Sequence, residues 1–194
     1  MNIKEAIQWA IEGQSHLTAQ CLEYPGMSSA RNRHLLNHLC TNKRYLEVGT
    51  FKGSTLLAAC YDNGAVGVGV DNSSQFGDWR TLVYETIAKF GLNAEYIEAD
   101  YRETVEKKEK YNVIFYDGCH KNESTREALE ILWPMVAEGG ALIVDDYCIN
   151  LPGLDVQGTT DAFIAENKIK ATLLKVNTRE DKNTWWNGLA ILEK

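Results

Sequence analysis

The sequence predicts an α/β fold, a doubly wound and mostly parallel sheet of seven strands with helices on both faces. From residue 44 onward, short apolar runs alternate with longer segments of helical periodicity, as in strand–helix–strand units. At the end of the chain, two apolar runs are separated only by the polar stretch REDKNT, which predicts an antiparallel pair at one sheet edge. In such a sheet, ligands bind at the carboxyl ends of the strands.

Length and composition favour one domain. The 194 residues suffice for one domain with a complete hydrophobic core and are too few for two domains of ordinary size. The chain is 44% hydrophobic and 24% charged, and it has no repetitive tract that resembles a linker. We predict a single domain over residues 1–194, with a helical extension at 1–40 and the core sheet and helices at 41–194.

The N-terminal part is predicted to be helical. Ile3, Ile7 and Ile11 recur at helical spacing among charged residues, which indicates an amphipathic helix and argues against a signal peptide. The segment ARNRHLLNHLC has leucines at the same spacing, so a second helix precedes the first strand.

The remaining elements follow from the alternation of apolar runs and helical segments. Strands are predicted near 44–48, 66–70, 94–98, 111–116 and 140–145, and a last pair within 170–178 and 185–194. Helices are predicted near 53–61, 75–90, 101–108, 121–136 and 157–167. The last two strands are expected to be joined by a tight reversal.

Charge and cysteine content exclude several classes. The net charge of -7 argues against a nucleic-acid partner, because such binding depends on Lys and Arg neutralising phosphates. No apolar run approaches the length of about 20 residues that a membrane span needs. The five cysteines are scattered without a CxxC pair and are predicted to be reduced thiols. A cytoplasmic enzyme or binding protein is therefore expected.

The first strand ends in a glycine-containing turn, LEVGTFKGST. Gly49 and Gly53 would let the backbone approach a ligand, and the helix opened by Ser54 and Thr55 offers unpaired N–H groups. Glu47 precedes this turn. The alternative is an ordinary strand-to-helix turn. The stretch GTFKG lacks the second glycine of the dinucleotide fingerprint, which disfavours pyrophosphate binding.

Acidic residues follow the second and third strands. Asp71 stands where an acid can accept both hydroxyls of a ribose, or it caps the following helix. Asp100 and Tyr101 follow the third strand and either border an adenine or belong to a solvated loop.

The fourth and fifth strands end in carboxylates. Asp117 follows one strand and Asp145 and Asp146 follow the next, so the three should face one crevice. Like charges this close repel, and a hard divalent cation such as Mg²⁺, Mn²⁺ or Ca²⁺ would relieve the repulsion. The alternative is a metal-free cluster bonded to backbone and lysine.

Together, YLEVGTFKGST, GVDNS, IEADY, VIFYDGCH and EGGALIVDDY resemble the class I S-adenosylmethionine-dependent methyltransferases, whose fold is Rossmann-like. The resemblance runs from about residue 44 to the end of the chain and is strongest to the catechol and macrolide-sugar O-methyltransferases. It implies the sheet order 3-2-1-4-5-7-6, with the last strand antiparallel.

The resemblance also implies roles for individual residues. The expected S-adenosylmethionine-binding residues are Glu47, Gly49, Thr50, Gly53, Ser54, Asp71, Asn72, Asp100, Tyr101 and Asp117. The expected Mg²⁺ ligands are Asp117, Asp145 and Asp146, with Asp145 preferred over Asp146.

The chain departs from the catechol-type pattern at two positions. His120 stands where those enzymes have a lysine base, and Asp146 stands where they have Asn. His120 is a candidate general base, together with Asp117 as the second catalytic residue, or His120 is a structural residue of the cofactor pocket.

The predicted function is O-methylation of a small hydroxylated metabolite with help from a divalent metal. The predicted partners are that substrate and a second copy of the chain in a homodimer. The alternatives are a cofactor-binding or protein-interaction domain without catalysis, and an aminopropyl transferase. Arg31 and Arg33 are candidates for binding an anionic substrate or are solvent-exposed, and Trp185 and Trp186 are expected either to pack in the last hairpin or to form a substrate platform.

Overall fold

A computed structural model describes residues 2–104 and 109–194. A seven-stranded sheet with the order β3-β2-β1-β4-β5-β9-β8 forms its centre. The strands β1 to β5 run parallel, and β9 is antiparallel to both β5 and β8. The predicted fold class and sheet order are confirmed, since β8 and β9 are the predicted sixth and seventh strands.

The strands and helices have the following bounds. The strands are β1 Arg44–Val48, β2 Val66–Asp71, β3 Ala94–Glu98, β4 Tyr111–Tyr116, β5 Val136–Val144, β6 Asn150–Leu151, β7 Leu154–Asp155, β8 Lys170–Leu174 and β9 Leu189–Glu193. The helices are α1 Ile3–Ile11, α2 Ala19–Leu22, α3 Ala30–Cys40, α4 Ser54–Cys60, α5 Arg80–Phe90, α6 Tyr101–Thr104, α7 Asn122–Leu132 and α8 Val156–Asn167, with a 3₁₀ helix at Trp133–Met135.

The sheet has a hydrophobic core on each face. Helices α1, α3, α4 and α5 cover one face, where Leu35, Leu56 and Phe115 are buried. Helices α7 and α8 cover the other, where Leu129 and Phe163 pack on the sheet. Because both faces are covered, β4 and β5 are almost entirely apolar, as expected for central parallel strands.

Three element boundaries differ from the prediction. Helix α5 begins at Arg80, not near 75, because Gly77 takes a left-handed φ of 87° before it. Helix α7 ends at Leu132, since Pro134 cannot continue it and a 3₁₀ turn follows. Strand β5 begins at Val136, before the predicted 140. The predicted helix near 101–108 includes α6, and residues 105–108 lie outside the described part.

The predicted tight reversal before the last strand is wrong. Strands β8 and β9 are joined by residues 175–188, hereafter the β8–β9 loop, which closes on itself through a bridge between Asp181 and Trp186. The sequence analysis also missed α2 and the small β6–β7 hairpin. Across the described ranges, none of the helices combines the length and apolarity needed to cross a membrane.

Candidate functional site

A pocket of about 640 Å³ lies at the carboxyl ends of the parallel strands. The loops that follow β1, β2, β3, β4 and β5 all contribute to its wall, because parallel strands end at the same sheet edge. The β8–β9 loop borders it as well. Its polar lining includes Thr50, Ser54, Asp71, Asn72, Asp100, Asp117, His120, Asp145, Asp146, Arg179, Lys182 and Asn187.

Gly49 allows the turns after β1 and β4 to touch. Its φ is 92°, and a Cβ at this position would lie 2.0 Å from the carbonyl oxygen of Asp117. Its N–H donates to the Val70 carbonyl at 2.9 Å. No other residue fits here, so the approach of the first turn to Asp117 depends on the missing side chain.

Asp71 joins the turn after β1 to the loop after β2. Its Oδ2 accepts the N–H of Phe51 at 2.7 Å, and its Oδ1 accepts the N–H of Ser73 at 2.8 Å. It therefore does not cap a helix. Each carboxylate oxygen retains a second lone pair, so Asp71 can still accept hydroxyls from a ligand in the pocket.

Glu47 is buried beneath this turn and does not line the pocket. The Tyr45 hydroxyl donates to its Oε2 at 2.5 Å, while its Oε1 has no hydrogen-bond partner among the described residues. Burial raises the pKa of Glu47 to about 7, although the hydrogen bond from the Tyr45 hydroxyl offsets part of the rise.

Aromatic side chains form one wall of the pocket. The ring centroid of Phe51 lies 5.2 Å from that of Phe76 and 5.7 Å from that of Trp79. The Lys52 ammonium lies 4.2 Å from the Trp79 ring centroid. Phe51 has a φ of 48°, an uncommon value for a bulky residue, and its N–H bond to Asp71 holds it there.

Neither N-terminal arginine meets the pocket. Arg33 is 2% exposed, and its Nη1 donates to three carbonyls of the segment 21–24 at 2.8 to 3.0 Å. Its Nε donates to the Ser28 hydroxyl at 2.9 Å. The Arg31 guanidinium stacks 5.5 Å from the ring of Trp185, which is buried. Arg33 thus anchors the chain before α3 and is not exposed to a substrate.

Asp117, His120 and Asp146 form a compact group on the opposite side of the pocket. One ligand atom from each lies within 4.8 Å of the other two. His120 Nε2 is 2.8 Å from Asp146 Oδ2 and 3.9 Å from Asp117 Oδ1. Burial raises the pKa of Asp117 well above its usual range, and the carboxylates of Asp145 and Asp146 raise it further.

Asp145 is separate from this group, although the sequence analysis preferred it over Asp146 as a ligand. It is 2% exposed, and its Oδ1 has no hydrogen-bond partner among the residues described. Burial raises the pKa of Asp145 well above its usual range, and the Asp146 carboxylate adds to the rise. Geometry therefore favours Asp146 as the acid that faces His120.

Asn187 is a pocket residue that the sequence analysis missed. Its Nδ2 donates to Asp146 Oδ1 at 2.7 Å, and its Oδ1 accepts the N–H of Glu180 at 2.8 Å. Asn187 comes from a loop that begins nearly thirty residues after Asp146, and no motif surrounds it. Only the pairing of β9 with β5 brings the two together.

The structure brings most of the predicted site residues into one pocket. Of the ten residues expected to bind the cofactor, Glu47 and Gly53 do not line it. Asp100 pairs with Arg102 at 2.8 Å, and the buried Tyr101 hydroxyl has no hydrogen-bond partner within the described ranges. The individual roles of these residues stay predictions.

A family model described as a methyltransferase domain matches residues 46–147, more than half of the chain. A search of curated proteins finds no match. Solved structures with similar folds are numerous. The SAH-bound methyltransferase PaMTH1 of Podospora anserina has a TM-score of 0.70 at 18% identity, over 100% of this chain and 96% of that one.

Two further structures are similar over most of their length. The O-methyltransferase of Bacillus cereus, in complex with SAH, has a TM-score of 0.66 at 17% identity, over 99% of this chain and 90% of that one. The O-methyltransferase TomG of Streptomyces achromogenes, involved in tomaymycin synthesis and in complex with SAM, has a TM-score of 0.67 at 18% identity, over 97% of this chain and 89% of that one. With the family match, the motifs and the sheet order in agreement, the chain belongs to the class I S-adenosylmethionine-dependent methyltransferases.

Proposed function

We propose that this methyltransferase methylates a hydroxyl oxygen of a small metabolite, with a divalent cation at Asp117, His120 and Asp146. The observation that carries the proposal is the close approach of these three side chains inside the pocket that the Gly49 turn borders. Solved O-methyltransferases of the same fold, from Bacillus cereus and Streptomyces achromogenes, support the choice of oxygen as acceptor.

The cofactor half of the pocket is proposed to lie along β1, β2 and β3. S-adenosylmethionine supplies an electrophilic methyl group on its sulfonium. The close turn at Gly49 admits the ligand to the backbone, Asp71 accepts hydroxyls of a ribose, and Tyr101 borders the base. Asp100 and Asn72 complete the polar wall. Alignment of donor and acceptor is the main contribution a protein makes to such a displacement.

The donor set fits a divalent cation. Two carboxylates and an imidazole, with separations of 2.8 and 3.9 Å from His120 Nε2, suit neighbouring ligands at about 2.1 Å from one ion. The buried carboxyl of Asp145 lies close enough to raise the pKa of Asp117. A bound cation would lower the pKa of the acceptor hydroxyl and orient it. The carboxylates alone suit Mg²⁺, and the imidazole extends the choice to Mn²⁺ and later transition ions.

The same geometry supports a metal-free variant of the mechanism. A carboxylate can only accept, so in the apo pocket His120 carries its proton on Nε2 and donates it to Asp146. The basic lone pair is then on Nδ1, which is suited to take the proton of the acceptor hydroxyl near neutral pH. Asp146 would stabilise the imidazolium that forms.

Calorimetric titration with S-adenosylmethionine and S-adenosylhomocysteine, with and without Mg²⁺ or Mn²⁺, tests the cofactor part. Tight binding of both is expected, and absence of binding would overturn the proposal. Preference for decarboxylated S-adenosylmethionine would favour aminopropyl transfer instead.

Turnover on a panel of hydroxylated aromatic and sugar acceptors tests the chemistry. Loss of turnover in EDTA, with recovery on adding Mn²⁺, is expected. Full turnover in EDTA would refute the metal and leave His120 as the base. If the cofactor binds but no acceptor is methylated and no Mn²⁺ is taken up, a domain without catalysis would be favoured.

A further inference from the structure

We infer that Asn187 is a positioning residue that holds the Asp146 carboxylate against His120 and ties the β8–β9 loop to that acid. The inference rests on the proposed function, in which Asp146 and His120 take part in the chemistry. It goes further by assigning a role to a residue outside the methyltransferase motifs and to the loop that carries it.

The orientation of the Asn187 amide is determined by its partners. Its Oδ1 accepts a backbone N–H, that of Glu180, at 2.8 Å, and only an oxygen can do so. The amide nitrogen must therefore face Asp146, where it donates to Oδ1 at 2.7 Å. With Oδ1 held by Asn187, the other oxygen of Asp146 faces His120 Nε2 at 2.8 Å.

The backbone around Asn187 is fixed to the backbone after Asp146. The Tyr147 N–H donates to the Gly188 carbonyl at 3.1 Å, and the Cys148 N–H donates to the Asn187 carbonyl at 2.8 Å. Gly188 permits this approach, since a Cβ there would lie 2.5 Å from Cys148 Sγ. Asn187 is 7% exposed, so water competes little for its amide.

Of the eight described non-glycine residues with a left-handed φ, three lie at this contact. Asp146, Glu180 and Trp186 have φ values of 55°, 54° and 59°, which non-glycine residues seldom adopt. One is the acid itself, one supplies the N–H that orients the amide, and one precedes Asn187. Strained residues that persist in a fold cluster at functional sites, where the surrounding contacts hold them.

The loop that Asn187 secures also presents the pocket with charged and aromatic side chains. Arg179, Lys182 and Trp186 line the pocket from this loop. Because Asn187 connects the loop to Asp146, a movement of these side chains on substrate binding would shift the Asp146 carboxylate. The loop and the acid thus behave as one unit, and a substrate that orders the loop also orders the reacting groups.

The test is the tautomer of His120, measured by ¹⁵N NMR at a pH where the ring is neutral. The chain has four histidines, so His120→Gln identifies the signal. In EDTA, where no cation occupies the site, wild type is expected to carry the proton on Nε2. Asn187→Asp keeps the acceptor for Glu180 but places a carboxylate against Asp146, and it should populate both tautomers. Asn183→Asp makes the same charge change on the same loop, outside the pocket lining, and should leave the signal unchanged.

The turnover number kcat provides a second measurement beside the His120 tautomer. On an accepted substrate, Asn187→Asp should lower kcat about 10- to 100-fold, the usual effect of losing a hydrogen bond to a charged group. Its affinity for S-adenosylhomocysteine should stay within about twofold of wild type, which shows that the pocket is folded. If Asn187→Asp does not fold, Asn187→Ala tests the same loss without added charge.

The outcomes separate this inference from the proposed function. If Asp146→Asn abolishes turnover and alters the His120 tautomer while both Asn187 variants match wild type, the inference about Asn187 is wrong and the site assignment stands. If Asp146→Asn itself changes neither, the proposed role of Asp146 fails first.

Discussion

The two halves of the pocket are built in different ways. On the proposed cofactor side, the Gly49 N–H donates to the Val70 carbonyl and the Phe51 N–H donates to the Asp71 carboxylate, so the ends of β1 and β2 are joined. On the other side, the Asp146 carboxylate meets His120 and Asn187, and backbone hydrogen bonds from Tyr147 and Cys148 join the distant β8–β9 loop to the end of β5. The proposed cofactor side is therefore more local in sequence, while the proposed reacting side also draws on a remote loop. Substitutions should affect cofactor affinity on one side and turnover on the other.

The largest effect should come from Gly49→Ala. The new Cβ would meet the Asp117 carbonyl at 2.0 Å while the backbone keeps a φ of 92°, so the turn must move. We expect a loss of stability above about 3 kcal/mol and little or no binding of S-adenosylhomocysteine. Denaturant unfolding and calorimetry measure both.

Gly139→Ala is the matched control for this change. Gly139 has a φ of 70°, but no atom of the described residues lies within 4 Å of the added Cβ, so only the cost of the left-handed backbone remains, about 1 to 2 kcal/mol. Equal losses in the two variants would contradict the close-approach argument.

Asp146→Asn should separate the reacting side from the cofactor side. The amide cannot serve as an anionic ligand or stabilise an imidazolium, so kcat should fall about 10²- to 10⁴-fold. Cofactor affinity should change less than about threefold, because the Gly49 turn is untouched. Steady-state kinetics and calorimetry give the two numbers. Asp62→Asn, on an exposed turn, serves as the control. If Asp146→Asn also lost cofactor affinity, the two halves of the pocket would not be independent.

Glu47, which is buried beneath the turn after β1, should make the free energy of unfolding depend on pH. Its folded pKa of about 7 exceeds the unfolded value of 4.5, so its contribution is present below pH 4.5 and is lost as pH rises through 7. The loss amounts to about 3 kcal/mol. Glu47→Gln keeps an acceptor for Tyr45 and should be more stable than wild type at pH 8 but not at pH 4.5.

Urea unfolding at the two pH values measures this difference. Asp117 and Asp145 contribute with the same sign in both proteins, so only the difference between wild type and variant reports on Glu47. Glu138→Gln, at an exposed position of β5, should show no such difference. A variant that loses stability equally at both pH values would show that the charge of Glu47 is not the cause.

The smallest effect is expected from Phe76→Ala on the aromatic wall. Phe76 is 52% exposed and contacts Phe51 at 5.2 Å between ring centroids. Loss of that pair is worth about 1 kcal/mol, so affinity for S-adenosylhomocysteine should fall only a few-fold. Leu151→Ala, similarly exposed and outside the pocket lining, should have no effect in the same calorimetric titration.

The sequence allowed much of the fold to be predicted, and it placed most of the candidate site residues at strand ends that border one pocket. The sheet order follows from the family resemblance, and the positions of Gly49, Asp71 and Asp117 at strand ends follow from alternation and local motifs. The start of α5 and the end of α7 were misplaced, because Gly77 and Pro134 interrupt the periodicity. Arg33 was taken for a surface cation, since sequence does not show that three carbonyls would surround it.

The sequence by itself determined the methyltransferase family, the α/β sheet and the sheet edge at which the pocket lies, because periodicity and strand-end motifs are local properties. Only the tertiary structure decided that Asp146, not Asp145, faces His120 and that Asn187 holds it there. The physical reason is that β9 pairs antiparallel with β5, which returns a distant loop to the end of the fifth strand. The residues of such a contact are far apart in sequence and share no motif, so the contact cannot be predicted from residue spacing.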